Sequence, residues 1–287
     1  LSVNGNQPMI SSSGRYIISF NGEIYNHPSL RKKIKNNTWR GNSDTETLLA
    51  IIENLGLEKT LKSIDGMFAF SLWDREKNEL ILVRDRFGEK PLYYYLDNKI
   101  LLFSSDLKAI KEHPCFIKTL SRESLSLMIK YSYVPSPKTI YKNTYKLEPG
   151  CYFKFKKPFK SFKLVRFWDS SKIAKSKLNT FSGSFHDAKI ILDDLLKKTI
   201  QSQMLSDVPL GAFLSGGIDS SLIVSIMQSL SSMPIRTFSI GFQEKDYNEA
   251  KDAKNIATYL KTDHTELYLN ATDIMDAIPK IASIYTE

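Results

Sequence analysis

Residues 215–221, Ser-Gly-Gly-Ile-Asp-Ser-Ser, stand between two apolar runs, VPLGAFL before and LIVSIM after. A strand that ends at Leu214 and turns through Gly216 and Gly217 into a helix brings several backbone N–H groups and a helix N-terminus to one point, which makes an anion site. The glycines let the backbone approach an oxygen closely, and the hydroxyls of Ser215, Ser220 and Ser221 add donors. Asp219 would repel a phosphate unless a cation lay between them, and magnesium suits that place because it takes carboxylate together with phosphate oxygens. The spacing is neither GxxxxGKS/T nor GxGxxG, so the two commonest nucleotide loops are excluded. The competing reading is a tight Gly-Gly turn with Asp219 and Ser220 capping the helix.

A second constellation lies near the start. FNGEIYNH places Asn21 and Gly22 at the end of an apolar strand pattern, where a side-chain amide and a backbone N–H can converge on one oxygen as an oxyanion hole requires. Glu23 beside them and Asp44 in SDTET have the charge to hold an α-ammonium group. The competing readings are a type I′ hairpin turn at Asn21-Gly22 and a helix N-cap at Asp44.

Other chemistries find less support. Cys115 and Cys151 form no short-spaced pair and the four histidines occur in no ligand spacing, so neither a disulfide framework nor a zinc site is indicated. Lysine and arginine number 40 against 31 aspartates and glutamates, but the excess is spread over many segments. KFKKPFKSFK (Lys154 to Lys163) alternates lysine with phenylalanine, which would suit a nucleic-acid stacking platform; the two-residue period fits an edge hairpin with lysines outward better. No apolar run reaches the roughly 18 residues a bilayer crossing needs.

The elements that must position these residues fall into two styles. Up to about residue 168, short apolar-aromatic runs broken by Asn, Asp and Gly (GRYIISFNGEIYN, GMFAFSLWD, ELILVRDRFG, PLYYYL, KILLFSSD) predict stacked antiparallel sheets, and DTETLLAIIENLG and SRESLSLMIKYSY predict flanking helices. Residues 169–187 lose apolar rhythm, become Ser/Lys-rich and are expected to be a linker. From 188 to 287 strands alternate with helices, which predicts βαβ units and a parallel sheet.

With its flanking strand and helix, DVPLGAFLSGGIDSSLI resembles the pyrophosphate loop of the ATP pyrophosphatase enzymes, and in particular of the glutamine-dependent asparagine synthetases. GNQPM, FNGEIYN, SDTET, DGMFAF, RDRFGEKPLYYY and KLEPG, in that order, resemble their class II glutamine amidotransferase domain, an N-terminal-nucleophile hydrolase-like α+β fold. The resemblance implies amidotransferase and α/β nucleotide-binding domains at 1–168 and 188–287. It implies adenylation of aspartate by ATP with release of pyrophosphate, followed by amidation with ammonia from glutamine.

Residue by residue, the resemblance implies pyrophosphate held by Ser215, Gly216, Gly217, Ser220 and Ser221, Mg²⁺ bound by Asp219, and adenine between Leu214 and the backbone near Ile240. On the amidotransferase side it implies Asn21 and Gly22 at the oxyanion, and Asn21, Gly22, Glu23 and Asp44 around glutamine. The family's N-terminal nucleophilic cysteine and its carboxylate-binding arginine have no counterpart after Leu1, and its second phosphate-contacting stretch none before Glu287, so a fragment lacking both ends, inactive by itself, is expected. Glutamine, aspartate and ATP are the expected partners, with a homodimer as a further option, no nucleic acid or membrane, and a cytoplasmic location. Two alternatives stay open: an amidotransferase acting on a cell-surface sugar or acid, and a catalytically incompetent chain that only binds a ligand or partner.

Overall fold

The computed structural model describes residues 3–35, 38–97, 99–156, 162–178, 180–242 and 248–286. Its contacts divide the chain into two compact units, one running to Leu178 and the other from there to Tyr285.

In the first unit the short apolar-aromatic runs become strands. β1 (Met9–Ile10), β2 (Tyr16–Ile24), β3 (Gly66–Asp74) and β4 (Glu79–Arg84) are followed in chain order by β5 (Tyr93–Leu96), β6 (Leu101–Ser104), β7 (Thr144–Lys146), β8 (Cys151–Lys156) and β9 (Phe162–Arg166). They form two antiparallel sheets, one of six strands in the order β1-β2-β3-β4-β8-β9 and one of three in the order β6-β5-β7. The helices are α1 (His27–Arg31), α2 (Asp44–Leu55), α3 (Leu57–Ser63), α4 (Leu107–Lys111), α5 (Arg122–Tyr131) and α6 (Ser170–Lys177).

Alternation along β3 decides the layering. Phe68, Phe70 and Leu72 leave one face and pack with Leu48, Leu49 and Ile52 of α2 and Leu61 of α3. Ala69 leaves the other and joins Tyr94 of β5 and Phe153 and Phe155 of β8, which fills the space between the sheets. Beyond the smaller sheet Tyr95 packs on Leu107, Ile110 and Phe116. Each fully buried Leu, Ile or Phe contributes about 1.5–3 kcal/mol, so these three clusters fix the strands that carry Asn21 and Gly22.

Just past β4, buried Asp85 accepts the amides of Phe68 (3.2 Å), Phe87 (3.0 Å), Glu89 (3.0 Å) and Lys90 (2.9 Å). Beside it the Arg84 guanidinium donates to the carbonyls of Gly88, Lys90 and Leu147. Together they hold the loop after β4 in one shape. The Lys154 to Lys163 stretch pairs as β8 and β9, with Lys154 opposite Lys163 and β9 at the sheet edge; Lys157, Pro158 and Lys160 lie outside the described residues.

The segment expected to be a linker is partly helical: α6 is capped by Asp169, which accepts the Lys172 amide at 3.1 Å. The second unit contains α7 (Phe185–Gln203), β10 (Gly211–Phe213), α8 (Ile218–Leu230), β11 (Arg236–Phe242), α9 (Ala250–Leu260), β12 (Asp263–Leu269) and α10 (Ala271–Ile284). Its three strands run parallel in the order β10-β11-β12, with α8 and α9 as the connections. Leu214, Val224, Ala253 and Ala257 form the core that sets α8 and α9 against the sheet.

Candidate functional site

Asn21 and Gly22 are not a hairpin turn and not a strand end: β2 runs through them to buried Ile24, and they face Ala69 and Phe68 of β3. Phe68 gives its N–H to Asp85 Oδ2 and takes the Asp85 N–H on its carbonyl at 2.8 Å, so its polar backbone faces away from β2. In an antiparallel ladder the residue opposite then faces away as well. The Gly22 amide therefore points out of the β2–β3 pair, to the side where the Phe20 amide reaches Gln7 Oε1 at 2.5 Å. β1 pairs only with Ile17 and Ile18 and stops short of it. No side chain fits here: Gly22 has φ +155°, and a Cβ would stand 2.1 Å from the Met67 carbonyl oxygen.

Asn21 donates one amide hydrogen to Ser105 Oγ at 3.0 Å, which orients its side chain at the rim of a cleft of about 310 Å³ and leaves a second hydrogen for an oxyanion. Asp44 is the first residue of α2, not its cap. Ser43 is the cap, accepting the Glu46 amide at 3.2 Å, while Asp44 Oδ2 reaches across to accept the Ile24 amide at 3.0 Å. Glu23 immediately precedes that amide, so Asn21, Gly22, Glu23 and Asp44 are gathered around one strand segment.

Glu46 grips the loop that leads to Asp44 by accepting the amides of Arg40 (2.7 Å) and Gly41 (3.0 Å). Neither cysteine joins this group. Cys151 is fully buried in the inter-sheet core, and burial pushes its thiol up to about 11; Cys115 is exposed on the turn after α4.

In the second unit the heptapeptide forms a closed knot of hydroxyls at the head of α8. Ser215 Oγ and Ser220 Oγ lie 3.0 Å apart, Ser215 Oγ accepts the Gly217 amide at 3.3 Å, and Ser221 Oγ donates to the Gly217 carbonyl at 2.6 Å. Gly217 is the helix cap, so Asp219 and Ser220 do not cap: Asp219 stands exposed in the first turn. Gly216 adopts φ +81°, and a Cβ there would come within 3.0 Å of the Ala253 nitrogen.

Leu214 and Ile240 line one cleft of about 210 Å³ with Ser215. The Leu214 amide donates to the Phe238 carbonyl at 2.9 Å, and Ser239 Oγ donates to the Leu214 carbonyl. Backbone polar groups alternate sides along a strand, so Ile240, two residues beyond Phe238, faces the same way. β10 ends at Phe213, opposite Phe238, and leaves the Ile240 N–H and C=O facing the cleft without a ladder partner among the described residues. That is a donor and acceptor pair for the edge of a base. Ser105 and Glu249, which also lines this cleft, had no signal in the sequence.

Asn21 and Gly22 thus lie on β2 of a six-stranded antiparallel sheet that packs on a second, three-stranded one. The chain belongs to the glutamine amidotransferase family, whose domain model matches residues 1–168. The asparagine synthase model matches residues 191–287. A Methanocaldococcus jannaschii relative is 36% identical over 276 residues, covering 94% of this chain and 52% of that protein. The Bacillus subtilis glutamine-hydrolyzing asparagine synthetase 1 is 34% identical over 289 residues, covering 97% of this chain and 43% of the relative. The chain thus spans about half the length of these curated relatives. A solved glutamine phosphoribosylpyrophosphate amidotransferase from B. subtilis aligns over 97% of this chain and 76% of that one at 14% identity and a TM-score of 0.45.

Proposed function

We propose that this chain is the glutamine-binding and ATP-binding part of a glutamine-dependent asparagine synthetase. The observation that carries the reading is the convergence of Leu214, Ser215 and the open backbone of Ile240 on one cleft at the head of α8. ATP lies with adenine against Leu214 and the Ile240 edge and its phosphates on the loop of Ser215, Gly216, Gly217, Ser220 and Ser221. The hydroxyls and the α8 N-terminus stabilise pyrophosphate as aspartate takes the adenylyl group, leaving β-aspartyl-AMP.

Asp219, exposed in the first turn of α8, would hold a magnesium ion together with the nucleotide's own phosphate oxygens. When bound, magnesium would offset the charge of the departing pyrophosphate. In the first unit the Asn21 side chain and the Gly22 amide hold the oxyanion formed when glutamine is attacked, and Glu23 and Asp44 hold its α-ammonium. Ammonia released there displaces AMP from the aspartyl adenylate.

The test is Mg²⁺-dependent ATP binding by the wild type and by Asp219→Asn. The expected result is at least a tenfold loss of affinity in the variant, about 1.4 kcal/mol. Equal affinities, or binding indifferent to Mg²⁺, would remove the assignment.

A further inference from the structure

Glu249, just ahead of α9, contributes to the wall of the same cleft, next to Ala250 and across from Ile240 and Phe238. A residue in this place ordinarily spends its side chain on capping the helix. Here Asn248 does that work, its Oδ1 accepting the Ala250 amide at 3.1 Å, and the exposed Glu249 carboxylate makes no hydrogen bond or ion pair among the described residues. Glu249 is the one charged residue among the described residues lining the cleft, whose other walls are apolar residues, Ser215 and Ser239.

The start of α9 also gives that carboxylate a position along a bound nucleotide. A Cβ on Gly241, the residue after Ile240, would stand 3.0 Å from the Ala250 Cβ, whereas a Cβ on Gly216 of the loop would stand 3.0 Å from the Ala253 nitrogen and the Asp252 Cβ. Ala250 thus marks the base end of the cleft and Ala253 the phosphate end, one helical turn or about 5 Å apart. Glu249 lies at or before the base end of that span. Its charge repels the triphosphate and favours hydrogen-bond donors. A nucleotide offers two kinds of donor away from its phosphates, the base amine and the sugar hydroxyls, and the amine already has the open Ile240 carbonyl.

We infer that Glu249 reads the sugar: its carboxylate accepts the vicinal 2′- and 3′-hydroxyls of a ribonucleoside triphosphate and makes the cleft selective for ribonucleotides over deoxyribonucleotides. An acidic side chain accepting from ribose hydroxyls is the same device that dinucleotide-binding folds use. The assignment rests on the ATP-binding reading above and adds the specificity determinant that reading lacked.

Equilibrium dialysis with Mg-ATP, Mg-2′-deoxy-ATP and Mg-3′-deoxy-ATP on the wild type, Glu249→Gln and Glu249→Ala tests it. The wild type is expected to prefer ATP at least tenfold over each deoxynucleotide, and both variants to bind all three within about twofold of one another, at the affinity the wild type shows for the deoxynucleotides. A general disturbance of the cleft would lower all three affinities together and keep their ratios. A wild type without sugar preference, or variants that retain it, would overturn the role of Glu249 while ATP binding that depends on Asp219 left the parent reading standing. A wild type that binds no Mg-ATP would overturn both.

Discussion

The Asp44 carboxylate accepts the Ile24 amide at 3.0 Å and so joins the first turn of α2 to the strand that carries Asn21, Gly22 and Glu23. The same side chain is asked to be both a structural acceptor and a ligand for an ammonium group, and two substitutions separate the roles. Asp44→Ala orphans the Ile24 N–H and is expected to lower stability by about 1–3 kcal/mol. Asp44→Asn keeps an acceptor oxygen but no charge, so it should unfold in urea near the wild-type midpoint while losing at least tenfold in glutamine affinity by calorimetry. Wild-type affinity in the asparagine variant would remove Asp44 from the glutamine site.

Gly22 meets Phe68 across the ladder so closely that a Cβ would fall 2.6 Å from the Phe68 Cα, as well as 2.1 Å from the Met67 oxygen. Gly22→Ala must push β2 from β3 and swing the amide proposed to face the oxyanion. The expected loss is on the order of 1–3 kcal/mol, read as a lower urea midpoint. A midpoint equal to wild type would mean that the strands separate without penalty, and that the close approach is not what requires glycine.

Cys115 is exposed and Cys151 is buried. With its thiol pushed up to about 11 by burial, Cys151 carries roughly one thiolate in a thousand at pH 8, and it is shielded by the core between the sheets. Native protein treated with a disulfide reagent at pH 8 should therefore release colour from one thiol quickly and from the second only after unfolding. Rapid reaction of both would show that the inter-sheet core opens.

Strands β2, β3 and β4 were legible in the sequence as short apolar-aromatic runs bounded by Asn, Asp or Gly. The heptapeptide was legible because two glycines and three serines between apolar runs have few other uses. Helix α3 was not: LEKTLKS offers too few apolar residues to show a period, and its place is decided by Leu61 and Ile64 in the core below. Helix α6 buries none of its residues, and its one local sign was the cap at Asp169. β10 is three residues long where a seven-residue run suggested more: Val208, Pro209 and Leu210 lie ahead of it, and the chain leaves the sheet at Leu214 to build the loop. What joins Asp44 to Ile24 or Asp85 to Phe68, and sets Glu249 and Ile240 on one cleft, is placement across the fold, which spacing along the chain does not encode.

Acid should loosen the first unit through the ends of its largest sheet. Asp74, at the end of β3, is buried, which by itself would raise its pKa. The Arg15 guanidinium at 2.8 Å and the amides of Lys77 and Glu76 outweigh that effect and hold the carboxylate below its ordinary range. Glu53 of α2 is likewise held low against burial by the hydroxyls of Ser11, Ser13 and Ser12. A carboxylate whose pKa is depressed by folding stabilises the native state above its unfolded pKa, near 4, and that contribution is lost as pH falls through the folded value. Stability measured by urea at pH 7 and at steps from pH 5 to 2.5 should fall over the lower part of that range. Asp74→Asn should lie about 1–3 kcal/mol below wild type at pH 7 and lose less on acidification, so that the two curves converge. Parallel curves would mean that the Arg15–Asp74 pair forms without stabilising the sheet.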